Sequence, residues 1–103
     1  MEFLVNIEIN WPPDGDPKLK EELFAAELVR GQELSREGKQ RRLWRVPGRW
    51  ANWVLWDVKD ATELHAGISS LPLYPWMDVT VHPLAEHVND PRALGIVIQG
   101  EEA

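Results

Sequence analysis

The chain has 103 residues, of which 44% are hydrophobic, with no cysteine and a formal net charge of −6 at pH 7. This length accommodates one domain with a modest core. The lack of cysteine excludes disulfides and thiolate chemistry, and the acidic balance argues against nucleic acid, whose binding depends on clustered Lys and Arg. No apolar run approaches the roughly 20 residues of a membrane span. We therefore expect a cytoplasmic protein without a membrane or nucleic-acid partner.

The first third of the chain predicts a strand followed by a long helix. From Phe3 to Trp11 every second residue is apolar, and the residues between them are polar except for Leu4, which is typical of a strand with one strongly apolar face. Pro12-Pro13-Asp14-Gly15 ends that pattern. Asp16 supplies a helix N-cap, and the helix is predicted from Pro17 to about Glu37. Gly38 then stands where a left-handed C-terminal cap belongs.

The rest of the chain predicts a hairpin, a second helix and a last strand. Residues 40–46 and 50–57 read as two strands joined by a short Pro-Gly-Arg connection. Asp60, with Glu63 three residues later, forms a capping box that opens a helix through about Ser70. Residues 76–82 alternate again and predict the last strand.

The order of elements, β-α-β-β-α-β, is typical of ferredoxin-like α+β folds, in which two helices cover one face of an antiparallel sheet. We expect this domain to span residues 1–87, with residues 88–103 as a C-terminal tail. The other face of the sheet would be open and would carry several of the six tryptophans. Because large apolar patches are seldom left in water, we expect a homo-oligomer formed through the sheet.

One charged residue of the first helix falls among apolar ones. At about 100° per residue, Glu27 lies between Leu34 and Gly31, in the middle of the apolar half of the helix. Burying a carboxylate without a partner is costly. Glu27 therefore either pairs with a cation such as Arg30 or has a raised pKa that suits proton transfer. The periodicity leaves both alternatives open.

Arginines are concentrated in the predicted hairpin of this acidic chain. A guanidinium binds a carboxylate bidentately, so these side chains are candidate anchors for an anionic substrate. They are Arg41, Arg42, Arg45 and Arg49. The alternative is solvated strand edges that form ion pairs with helix acids. Asn52 follows in the next strand, and if its amide is buried it needs partners, of which a bound carbonyl oxygen is one.

The three histidines lie in different predicted elements and lack the spacing of a zinc site. We therefore expect no metal site. His87 is kept as a candidate proton shuttle, because the pKa of histidine lies near neutral pH.

Short motifs are spread along most of the chain. They are Arg36-Glu37-Gly38, Leu43-Trp44-Arg45, Gly48, Ala51-Asn52, Asp57-Val58, Leu64-His65, Leu71-Pro72-Leu73 and Met77-Asp78. In this order and spacing, with Glu27 and His87 also in register, the chain resembles the muconolactone Δ-isomerase family from Phe3 to about His87.

The resemblance implies a ferredoxin-like subunit in a cyclic homo-oligomer, with a decamer as the candidate size and active sites near subunit contacts. It also implies a cofactor-free isomerisation of a small lactone carboxylate, muconolactone, to 3-oxoadipate enol-lactone in aromatic catabolism. Glu27, as the base, would be catalytic together with Asn52 and His87. The substrate would be bound by Arg41, Arg45, Arg49 and Trp53.

Two alternatives stay open beside this prediction. Methylated or chlorinated muconolactones, the latter with loss of chloride, would use the same base in a reshaped pocket. A ferredoxin-like binding subunit without catalysis would instead keep Glu27 as an ion-pair partner.

Overall fold

The computed structural model describes residues 1–101 and confirms the predicted order of elements. These are β1 (Glu2–Ile9), α1 (Pro17–Arg36), β2 (Gln40–Arg45), β3 (Ala51–Asp57), α2 (Ala61–Ser69) and β4 (Met77–Leu84). The strands form one four-stranded sheet in the order β2-β3-β1-β4, and every neighbouring pair is antiparallel. This is the ferredoxin-like α+β fold that the sequence predicts.

Both helices begin at the predicted caps. The Asp16 side chain accepts a hydrogen bond from the backbone N–H of Lys18 at 2.9 Å, and the Asp60 side chain accepts one from the N–H of Glu63 at the same distance. These bonds satisfy backbone donors that a helix start leaves free. Gly38 has a φ of +79° just after α1, a conformation that only glycine adopts without strain, so the chain turns there into β2.

The residues at which β1 and β4 end differ from the sequence prediction. β1 ends at Ile9 rather than Trp11, because Pro12 follows and the Trp11 ring packs against Trp76 at a centroid distance of 4.7 Å. β4 is longer than predicted because its end pairs with the start of β1, Leu84 lying opposite Glu2. Pro83 is tolerated within it since β4 is an edge strand.

The core lies between the sheet and the two helices. It contains Phe3, Val5, Ile7, Leu34, Val54, Trp56, Val58, Leu64, Ile68 and Leu71. Trp56 is completely buried, and a Cβ placed on Gly67 of α2 would come within 2.7 Å of its ring. The glycine therefore allows α2 to lie directly on Trp56. Because α1 and α2 contribute to the same core, both helices cover one face of the sheet.

The opposite face of the sheet carries two of the six tryptophans, fewer than predicted, together with apolar and polar side chains. Since Val54 and Trp56 face the helices, Trp53 and its partner in β2, Trp44, face away. Leu4 and Leu55 are paired on that same face. We call this surface the open face.

After Leu84 the described residues form turns without a helix or strand, and nearly all of them are exposed. The last two residues of the predicted tail, 88–103, lie outside the described residues. Within residues 1–101, no helix is long and apolar enough to cross a bilayer.

Candidate active site

A cleft of roughly 530 Å³ lies between α1 and the helix-covered face of the sheet. Its walls come from α1, β1, β2, β3 and the segment after α2. The side chains that matter below are Phe24, Glu27, Gln40, Arg45, Trp50, Asn52 and Leu73. We call this cavity the α1 cleft.

The α1 cleft exists because most of α1 packs loosely on the sheet. Leu34, near the end of the helix, is the one residue of α1 that is fully buried. Leu19 and Leu28, on the same apolar half, are 41% and 67% exposed. The C-terminal turn of α1 is therefore fixed in the core, whereas the preceding turns form one wall of a cavity.

Glu27 is half-buried in the α1 cleft and is fixed by the backbone. Its Oε1 accepts a hydrogen bond from the N–H of Leu73 at 2.9 Å. Burial of the carboxylate raises the pKa of Glu27, and the hydrogen bond from Leu73 opposes this effect in part. Within residues 1–101, no Lys, Arg or His nitrogen lies within 4.0 Å of this carboxylate.

The ion pair between Glu27 and Arg30 that we kept as an alternative is not formed. The Arg30 guanidinium lies 3.5 Å from Glu33 and 3.8 Å from Glu37, and it donates a hydrogen bond to the Ser70 hydroxyl at 3.0 Å. Arg30 follows Glu27 by three residues, but it points along the exposed side of α1 toward other acids. The carboxylate of Glu27 thus remains available to a ligand.

Asn52 and Arg45 form part of the wall across from α1. They are register partners on β3 and β2, so their side chains lie side by side on the helix-covered face. Among the described residues 1–101, neither side chain has a hydrogen bond or a carboxylate within 4.0 Å. An amide and a guanidinium therefore face the same cavity as Glu27.

Gln40 also lines the α1 cleft, and the sequence analysis missed it. It is only 5% exposed, and its Oε1 has no hydrogen-bond partner among residues 1–101. A bulge between Gln40 and Arg42 shifts the strand register, so that Gln40 lies opposite core-facing Trp56. Strict alternation counted back from Leu43 puts Gln40 on the wrong face, and no sequence signal marks the bulge.

Four predicted site residues lie outside the α1 cleft of their own chain. Arg41 donates to the Gly38 carbonyl at 2.6 Å and lies 3.6 Å from Asp57. Arg49 is paired with Glu8. The other two side chains lie on different parts of the fold. Trp53 is on the open face, and exposed His87 lies in the turns after β4.

Trp53 and His87 each contact residues that do not line the α1 cleft. The Trp53 ring packs on His82 with a centroid distance of 5.9 Å. The Nδ1 of His87 accepts a hydrogen bond from the Asn89 N–H at 2.9 Å. Since neither side chain lines the α1 cleft, either of them would reach a substrate only in a cleft that another subunit provides.

The fold and the cleft define a ferredoxin-like α+β protein whose half-buried carboxylate faces an amide and a cation, which is a site suited to proton transfer. A family model described as muconolactone delta-isomerase matches residues 1–90. The muconolactone Δ-isomerase of Rhodococcus opacus is 40% identical over 90 residues, covering 87% of this chain and 97% of the relative. That of Pseudomonas aeruginosa is 39% identical, covering 90% and 97%.

A solved structure agrees with these sequence relatives. The crystal structure of a muconolactone isomerase superposes with a TM-score of 0.82 at 39% identity, covering 87% of this chain and 94% of the other. The chain belongs to the muconolactone Δ-isomerase family, a family of isomerases.

Proposed function

We propose that this protein catalyses a 1,3-proton shift in an unsaturated lactone, converting muconolactone to 3-oxoadipate enol-lactone in aromatic catabolism without a cofactor. The observation that carries the proposal is Glu27, a carboxylate with a raised pKa and no cationic partner among residues 1–101, in a largely apolar cleft. Family membership supports the choice of substrate, since the relatives above are named for muconolactone.

Glu27 acts as the base in this proposal. It removes the proton from the ring carbon that bears oxygen, and the electron pair spreads through the conjugated double bond to the lactone carbonyl oxygen. The same carboxyl group then returns the proton to the carbon beside that carbonyl, which moves the double bond by one position. A raised pKa suits both steps, because the group must accept the proton and then release it.

Asn52 and Arg45 stabilise the oxygen that becomes negative. A dienolate places its charge largely on the former carbonyl oxygen, and hydrogen-bond donors fixed in a partly dry cleft lower the energy of that state. The side-by-side position of these residues on two strands supports the assignment, because strands hold donors more firmly than loops do.

The proposal also includes the oligomeric state of the protein and its location in the cell. The apolar open face supports a homo-oligomer through the sheet, and the family resemblance makes a decamer the candidate size. In such an assembly Trp53, His87, Arg41 and Arg49 serve the cleft of a neighbouring subunit or the subunit contact itself. The cytoplasm is the expected location, which fractionation of cells would test.

The test is Glu27→Gln, compared with Glu22→Gln as a control on an exposed position of the same helix. The amide keeps the shape of the side chain but cannot accept the proton, so we expect the rate of isomerisation to fall by about 10² to 10⁴. The lactone-dependent change in ultraviolet absorbance measures it.

Thermal unfolding is recorded for both variants in parallel. An intact fold with lost activity is the expected result for Glu27→Gln, and Glu22→Gln should behave like the unmodified protein. If Glu27→Gln instead isomerises the lactone at the unmodified rate, the proposed base is wrong.

A second candidate substrate follows from the size of the cleft. Its roughly 530 Å³ falls in the range of pockets for small ligands, about 300 to 1,000 Å³, and its lining is mostly apolar. This leaves room for a methyl or chloro substituent on the lactone ring. A panel of substituted muconolactones assayed with the same enzyme would rank them by kcat/KM.

A further inference from the structure

Lys20 lies next to two aromatic residues that line the α1 cleft. Its ammonium nitrogen lies 5.8 Å from the centroid of the Phe24 ring and 5.7 Å from that of Trp50. The two rings meet edge to face at 6.4 Å, and both line the cleft. The cation is thus held over an aromatic pair that forms part of the cavity wall.

Lys20 has no carboxylate partner among residues 1–101, although it is followed directly by Glu21 and Glu22. No acidic oxygen of residues 1–101 lies within 4.0 Å of its ammonium group. Arg41 and Arg49, in contrast, are paired with acids. Aromatic rings attract a cation without forming an ion pair with it, so the ammonium group of Lys20 remains available to an incoming anion.

Lys20 also lies on the same stripe of α1 as the proposed base. Residues 20, 24 and 27 are spaced i, i+4 and i+7, which puts them on one face of the helix. Seven residues span about 10 Å along the axis. Since the Phe24 ring lies between them, a ligand in the cleft would meet the carboxylate of Glu27 at one point and the ammonium of Lys20 nearer the solvent.

We propose that Lys20 binds the carboxylate of the substrate's side arm at the mouth of the α1 cleft, which rests on the proposed function above. The lactone ring then lies deeper, with its acidic carbon at Glu27 and its carbonyl oxygen toward Asn52 and Arg45. Lys20 and Arg45 thus have separate roles. Lys20 positions the ionised arm, and Arg45 meets the charge that develops during the reaction.

The charge balance of the chain supports the same assignment. With a net charge of −6 and a carboxylate inside the cleft, an anionic lactone meets unfavourable potential as it approaches. A cation at the entrance compensates for this locally. The aromatic pair fixes the ammonium there, which reduces the side-chain entropy that binding would otherwise cost.

The test compares Lys20→Met with Lys18→Met in steady-state assays on muconolactone. Both changes remove one positive charge from the first turns of α1, but Lys18 is exposed and does not lie over the Phe24 and Trp50 rings. Loss of a charge-assisted contact predicts a KM for Lys20→Met that is about tenfold to a hundredfold higher, with kcat largely retained. Lys18→Met should leave both constants unchanged, and Lys20→Arg should restore most of the affinity.

The methyl ester of the same lactone separates a binding role from a structural one. The ester lacks the negative charge, so Lys20→Met and the unmodified protein should process it with equal kcat/KM. An unchanged KM for the free acid in Lys20→Met, or an equal loss with acid and ester, would overturn the assignment of Lys20 while the unmodified protein still isomerises the lactone. An unmodified protein without isomerase activity would overturn the proposed function, and the assignment with it.

Discussion

At the scale of single residues, the chemistry of this protein depends on how one carboxylate is placed. Glu27 lies on an amphipathic helix, yet the helix does not bury it against a cation. Instead, the backbone N–H of Leu73 fixes its orientation while apolar side chains surround it. Burial raises the pKa of Glu27, and the hydrogen bond from Leu73 offsets only part of that rise. Such an environment adapts an ordinary acid to proton transfer.

The raised pKa of Glu27 predicts the pH dependence of activity. Below that pKa the carboxyl group is protonated and cannot accept the substrate proton. We therefore expect kcat/KM to fall on acidification, with a midpoint above the ordinary glutamate value of about 4.3. A pH profile of kcat/KM measures it, and a midpoint at or below that value would contradict the raised pKa.

The same shift predicts an effect on stability with a definite sign. Because the folded state binds this proton more tightly than the unfolded state, the stabilisation it contributes is present at acid pH and is lost as the pH rises through the raised pKa. Glu27→Gln has no such loss. Urea unfolding should therefore show the variant gaining stability relative to the unmodified protein between acid and neutral pH. A constant difference across that range would argue against the shift.

The hairpin arginines should differ in their effect on catalysis. Arg45 lines the α1 cleft, whereas Arg41 and Arg49 are paired with Asp57 and Glu8. Replacing Arg45 by Met should lower kcat/KM by an amount equivalent to about 1.5 to 3 kcal/mol, the usual value of a hydrogen bond to a charged group.

The same replacement of Arg41 or Arg49 tests whether either side chain serves the cleft of a neighbouring subunit. If these two act only in surface ion pairs, each variant should change kcat/KM by little, since exposed pairs contribute about 0 to 1 kcal/mol. A larger loss at Arg49 than at Arg45 would place the substrate contact at the subunit boundary instead.

At the scale of elements, the two helices pack on the sheet in different ways. α2 lies directly on Trp56 through Gly67, and it fills its part of the core. α1 is anchored through Leu34 and leaves a cavity along its earlier turns. One helix thus stabilises the fold, and the other forms a wall of the site.

This contrast predicts opposite outcomes for two glycine substitutions. In Gly67→Ala the new Cβ would come within 2.7 Å of the Trp56 ring, so overpacking should cost about 1 to 3 kcal/mol of unfolding free energy. In Gly31→Ala the nearest atom is Gln40 Oε1 at 3.8 Å, and the better helix propensity of alanine should stabilise the protein by up to about 1 kcal/mol. Urea denaturation of both variants measures the difference, and equal effects would contradict the packing described here.

At the scale of the whole molecule, the open face of the sheet predicts self-association. Trp44, Trp53, Leu4 and Leu55 lie among polar side chains on a face that no element of the described residues 1–101 covers. Light scattering should therefore find a stable oligomer at micromolar concentration. Trp53→Glu should dissociate it by burying a charge in the contact, while Val29→Glu, on the exposed side of α1, should not. A monomeric unmodified protein would contradict the prediction.

Much of this protein follows from local sequence signals. The caps at Asp16, Asp60 and Gly38 determine where the helices begin and where α1 ends, and the alternating apolar residues determine the buried face of β1. These signals act between residues close in sequence, so they can be read without a structure. The apolar stripe around Glu27 and the motifs of the family can also be read from the sequence alone.

The tertiary structure decided what the carboxylate and its neighbours contact. Arg30 pairs with Glu33 and Glu37 rather than with Glu27, a choice among nearby acids that helical spacing alone cannot make. The bulge in β2 turned Gln40 into the cleft, and long-range pairing of strands put Asn52 beside Arg45 there. The sequence determines the elements because their signals are local, whereas the site depends on contacts between residues far apart in the chain, which only the packed fold defines.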